Sequence, residues 1–109
     1  MYYIAIKSYQ ERYEVFNVPD ELGLDNYTLL QALEFKGGSG NIGAAQILLR
    51  AAVAALLNEA NGCSLPCGKS VTYVVNTLAF GSNPLERDNI IYWAEYIDAS
   101  NNRCKDSTE

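Results

Sequence analysis

The chain has 109 residues, 49% of them hydrophobic and 19% charged, which is the composition of one folded domain rather than a disordered segment. Eight Lys and Arg face thirteen Asp and Glu, a formal charge of -5, and no basic block occurs. That balance opposes binding to a phosphate backbone or an anionic lipid surface. The absence of histidine removes Ser-His-Asp and Cys-His catalysis and histidine metal ligands.

Residues 1–20 read as an aromatic arm laid across a core. Tyr2, Tyr3, Ile4, Ile6, Tyr9, Tyr13, Val15, Phe16 and Val18 lean toward extended chain, with a short helix as the alternative. Pro19-Asp20-Glu21 then punctuates the chain. Asp25 or Asn26 is the expected cap of a first helix over about 26–35, with Leu29, Leu30, Leu33 and Phe35 at helical spacing. The glycines of residues 36–41 stop it.

The longest helical signal spans 42–60, almost all strong helix formers and apolar nearly all round. A bilayer span needs about 20 apolar residues and tolerates a central charge poorly. Arg50 interrupts this run, so it reads as the buried central helix of a bundle with Arg50 on its solvent stripe or paired with an acid. Asn61-Gly62 ends it. A third helix over about 70–80 is capped by Ser70 and carries Val71, Val74, Val75, Leu78 and Phe80, with a strand over 71–75 as competitor. A fourth covers about 84–100. Asn83 is its expected cap, Pro84 its first residue and Glu86 the partner in a capping box. Ile90, Trp93, Ala94 and Ile97 form its inward face. Residues 101–109 read as a polar tail. The expectation is an all-α single domain, a compact bundle of four helices whose core spans 26–100, with an N-terminal aromatic arm.

Three cysteines, Cys63, Cys67 and Cys104, are the disulfide candidates. The turn-rich C-S-L-P-C stretch favours a local Cys63–Cys67 staple on a helix–helix loop. Reduced loop thiols, or a bond from either to Cys104, are the alternatives. The spacing is neither C-x-x-C nor half of a complete zinc site.

Other motifs carry little chemistry. Gly37-Gly38-Ser39-Gly40 and Gly68-Lys69-Ser70 each precede a helix, but neither has P-loop spacing, so both read as helix termination and capping. Glu86, Asp88, Glu95 and Asp98 read as a solvated face, and Asp20, Glu21 and Asp25 lack the order of a calcium loop. No catalytic residue, cofactor or metal is assigned. The eight tyrosines are the remaining signal, because tyrosine is enriched at binding surfaces. Tyr2, Tyr3, Tyr9 and Tyr13 form a candidate interaction edge for a protein partner, another copy or a glycan, or else fill a core end short of leucine.

Residues 27–38, YTLLQALEFKGG, and 48–60, LLRAAVAALLNEA, together with 97–104, IDASNNRC, resemble a helical module of bacterial secreted and cell-surface proteins. That module carries T-L-L-x-A-L-x-x-K-G-G, L-L-R-x-A-V-A-A-L-L-N-A-A and a tail ending in N-N-x-x-C. The resemblance implies an extracellular or cell-surface location and a structural or adhesion-associated role without catalysis. It also implies that Cys104 pairs with a cysteine in the module's C-x-P-G-Y/F-W-K opening, a segment this chain lacks. It assigns no ligand residue. The functional expectation is a non-catalytic extracellular structural or adhesion module, not inserted in a membrane and not bound to nucleic acid. A self-assembling filament or layer subunit and a small protein- or glycan-binding domain are the alternatives.

Overall fold

A computed structural model describes residues 15–24 and 27–107. Its described residues are mostly helical and form a compact globule of four helices. These are α1 (Leu29–Ala32), α2 (Gly40–Ala60), α3 (Val71–Tyr73, continuing as a π-helical turn over Val74–Ala79) and α4 (Arg87–Ser107). A 3₁₀ turn, Asp20–Leu22, precedes them. The expected all-α bundle is therefore observed. Most of the arm, including Tyr2, Tyr3, Tyr9 and Tyr13, lies outside the described residues, as do Asp25 and Asn26.

The first helix is a single turn, far shorter than the expected 26–35. Thr28 caps it through a complete capping box. Its hydroxyl accepts the Gln31 N–H at 3.1 Å, and the Gln31 side chain accepts the Thr28 N–H at 2.8 Å. Ala32 and Phe35 are buried, whereas Leu30 is 75% exposed. The leucine stripe expected to face inward thus points partly to solvent.

The expected central helix exists and begins two residues earlier than its apolar run, at Gly40. Gly43 faces the Gly38 backbone so closely that a Cβ there would strike the Gly38 carbonyl, which lets the 36–41 loop fold back on the helix start. The loop is held by its own chain: the Gln46 side chain accepts the Gly37 N–H, and the Arg87 guanidinium donates to the Gly38 and Gly40 carbonyls. Arg50 is exposed, as expected, and donates to the Phe35 carbonyl at 2.9 Å rather than to an acid.

Ser70 caps α3 as expected, accepting the Tyr73 N–H at 3.0 Å, and Glu59 accepts the Val71 N–H at 2.8 Å. No strand forms over 71–75. The helix widens at Val74, where the ladder passes to i→i−5 bonds such as Phe80 N–H to the Val75 carbonyl. The Asn89 side chain then donates to the Leu78 and Ala79 carbonyls, satisfying the helix end from α4.

The start expected for the fourth helix is wrong. Asn83–Pro84 is a cis peptide in a bend, and α4 begins only at Arg87, with Glu86 supplying the first carbonyl of the ladder to Ile90. The end is wrong as well, because α4 runs through the supposed polar tail to Ser107. Its buried stripe is Ile90, Ala94, Ile97, Ser100 and Cys104, at steps of three and four throughout.

Hydrogen bonds fix the relative directions. Asn41, near the start of α2, donates to the Leu85 carbonyl just ahead of α4. Near the other end, Asn58 donates to Asn101, and Asn101 donates to the Ala51 carbonyl. The helices α2 and α4 therefore run parallel, and α3 returns the chain between them. Leu48, Leu49, Val71, Val74, Val75, Ile90 and Ile97 form the centre, closed at one side by Phe16 and Val18 from the arm's last residues.

Candidate interaction surface

The loop between α2 and α3 is clamped to the second half of α4. Cys63 is disulfide-bonded to Cys104, with a Cα–Cα distance of 5.9 Å across 41 residues of sequence. The local Cys63–Cys67 staple is thus not the pairing found. The reason lies in α4: its helical extension carries the buried Cys104 to the loop, where it meets Cys63, while Cys67 faces solvent. Arg103 adds a hydrogen bond to the Ser64 carbonyl at 2.7 Å, and Leu65 anchors the loop's middle in the core.

Cys67 is left as an exposed free thiol. The Tyr96 hydroxyl donates to its sulfur, the Lys69 backbone N–H does so as well, and the Lys69 charge adds to both. These hold the thiol below its ordinary value despite a small opposing cost of burial. The same bond holds the Tyr96 phenol above its ordinary value, since the phenol must keep its proton to donate it.

Around this loop lies an aromatic face. Tyr92, Trp93 and Tyr96 stack edge to face along α4, with ring centroids 4.9 and 5.4 Å apart. Trp93 and Tyr96 are half-buried against the core, while Tyr92 is 59% exposed. On α3, Tyr73 is exposed beneath the Lys69 ammonium, 5.2 Å from its ring centroid. The aromatic signal expected on the arm has this second carrier in the described chain. Tyr92 and Tyr96 are not among the tyrosines expected at a surface, although their spacing of four puts both on one side of the helix.

An apolar groove lies elsewhere, between α1 and α2. Its volume is about 230 Å³ and its walls are Leu29, Leu30, Leu33, Val53, Leu56 and Leu57. A more polar hollow of about 340 Å³ sits over the α3–α4 turn, between Glu21 and residues 80–85. Ser82 contributes a buried hydroxyl there that has no hydrogen-bond partner among the described residues. No grouping of three or more Cys, Asp or Glu suited to a metal ion occurs among the described residues. The helix α2 has the length and composition to cross a bilayer, and half of its most apolar window is buried in this fold.

No protein-family model, curated protein or solved structure matches the chain.

Proposed function

We propose that this chain is a non-catalytic extracellular structural or adhesion-associated module that presents its α4 aromatic face to a protein partner. The observation that carries the reading is the Cys63–Cys104 disulfide, a bond that persists in oxidising compartments and is rare in the cytosol. It fastens the 61–70 loop onto α4, and so fixes the ground on which Tyr92, Trp93, Tyr96 and Tyr73 stand. Rings held rigidly at a surface bury large area on contact at little entropic cost, and tyrosine and tryptophan dominate the energetics of protein interfaces. The resemblance of residues 27–104 to a surface-protein module supports the same setting.

Two measurements test this. Denatured protein isolated from its native source without reductant should titrate one thiol per chain, and three would overturn the extracellular setting. Beads coated with the oxidised chain should adhere to surfaces of the source cells, with Tyr92→Ser weakening adhesion about tenfold, the effect of ~1.4 kcal/mol. Adhesion unaltered by Tyr92→Ser, or absent altogether, overturns the role given to this face.

A further inference from the structure

The stretch of α4 that carries the aromatic face also carries charge of one sign. Between Arg87 and Arg103 its charged residues are Asp88, Glu95 and Asp98, with no lysine or arginine among them. All three are exposed, and none makes an ion pair among the described residues. The flanking arginines are bonded to backbone: Arg87 to the Gly38 and Gly40 carbonyls, Arg103 to the Ser64 carbonyl. Arg50 stands across a hollow of about 80 Å³ from Glu95 and Asp98, its guanidinium bonded to the Phe35 carbonyl. Tyr92, at 59%, is the most exposed ring of the face. Asp88 precedes it by four residues and Glu95 follows it by three, so both carboxylates neighbour Tyr92 on the helix surface, with Cβ atoms about 5–6 Å away. On the same face Tyr73 already carries a cation, the Lys69 ammonium, whereas no cation of the described residues lies over Tyr92.

We infer that the partner of this face is a protein segment that lays an arginine side chain over Tyr92, between Asp88 and Glu95. The inference rests on the reading of the α4 aromatic face as a protein-docking surface, and it names the chemistry that surface takes. The face of the tyrosine ring attracts a cation. The two carboxylates supply acceptors for charge-assisted hydrogen bonds. The chain's formal charge of -5 steers a basic partner toward it. Arginine suits the place better than lysine. A planar guanidinium stacks on the ring and keeps its N–H groups directed at the carboxylates, whereas an ammonium is a compact, strongly hydrated point charge. An acidic partner would meet three like charges, and a purely apolar one would take water from the carboxylates without replacing it.

The probe is a capped peptide of alternating arginine and glycine, titrated into the oxidised full chain at low ionic strength. The single tryptophan, Trp93, reports binding, because its ring touches Tyr92. Its emission should change saturably, and amide resonances of residues 88–96 should shift. Tyr92→Ser should weaken binding about fivefold, and Asp88→Asn with Glu95→Gln about tenfold. These positions are exposed, and an unchanged urea midpoint confirms the fold of each variant. The matching lysine–glycine peptide should bind about threefold more weakly. The inference is overturned if binding is absent, if both variants bind as the native chain does, or if the lysine peptide or spermidine binds as tightly as the arginine peptide. Adhesion of coated beads separates this result from the reading beneath it. Beads carrying the Asp88→Asn, Glu95→Gln chain that adhere fully, while Tyr92→Ser beads do not, overturn the arginine partner and leave the aromatic face standing. Full adhesion by Tyr92→Ser beads overturns both.

Discussion

Hydrogen bonding between the exposed Cys67 thiol and the Tyr96 phenol moves their pKa values in opposite directions. A thiolate that accepts a hydrogen bond is stabilised relative to the thiol, so the Cys67 pKa falls, while the donor phenol becomes harder to ionise. Removing the donor reverses the first effect. Tyr96→Phe is expected to raise the pH midpoint of Cys67 alkylation by iodoacetamide toward that of an ordinary thiol. It should not reach that value in full, because the Lys69 N–H and charge remain. An unchanged midpoint would mean that Tyr96 does not set the thiol's acidity. Gly43 makes a different kind of demand. Its φ is ordinary for a helix, so alanine would suit the backbone, yet the added methyl meets the Gly38 carbonyl. Helix propensity favours Gly43→Ala by roughly 1 kcal/mol, and overpacking against a backbone atom costs about 1–3 kcal/mol. The clash wins, and urea denaturation should show a net loss of stability.

At the scale of elements, α2 was the most legible part of the sequence because its composition and its burial agree. Leu48 is fully buried, and Leu48→Ala should cost about 2–5 kcal/mol in urea unfolding. Leu30→Ala, on an exposed leucine of α1, should stay within roughly 0.5 kcal/mol. A reading of α1 as a long inward helix requires the opposite, since it gives Leu30 and Leu48 similar environments. The other boundaries were hidden for separate reasons. At the start of α1 the Thr28–Gln31 capping box competes in the sequence with Asp25 and Asn26, which are equally good cap residues. The π turn in α3 leaves no mark in a pattern of apolar residues, because one widened turn merely shifts the register of Leu78 and Ala79. The end of α4 is hidden because its inward stripe continues through Ser100 and Cys104, neither of which is a large apolar side chain. The candidate surface is hidden in the same way: nothing local says that Tyr96 will meet Cys67, since that contact depends on where the loop between α2 and α3 is docked.

For the molecule as a whole, the disulfide ties the loop that follows α2 to the last turns of α4. The helices α2 and α4 run parallel, so the chain must travel back through α3 before α4 can pack, and the contacts between α2 and α4 close a long stretch of sequence. Asn58, Asn101 and the Ala51 carbonyl secure that packing by hydrogen bonds, and the Cys63–Cys104 bond secures it covalently at the same end. Cross-linking across 41 residues removes unfolded-state entropy equivalent to about 4 kcal/mol at room temperature. A small domain has a total stability of only about 5–15 kcal/mol, so this one bond is a substantial share of it. The double substitution Cys63→Ser, Cys104→Ser should therefore lower the urea midpoint strongly, and dithiothreitol should do the same to the native chain while leaving the double variant unaffected. Cys67→Ser, which removes only the exposed thiol, should leave the midpoint unchanged both before and after reduction relative to the native chain. If instead Cys67→Ser abolished the sensitivity to dithiothreitol, the stabilising bond would involve Cys67, and the clamp of the loop onto the end of α4 would have to be replaced by the local Cys63–Cys67 staple.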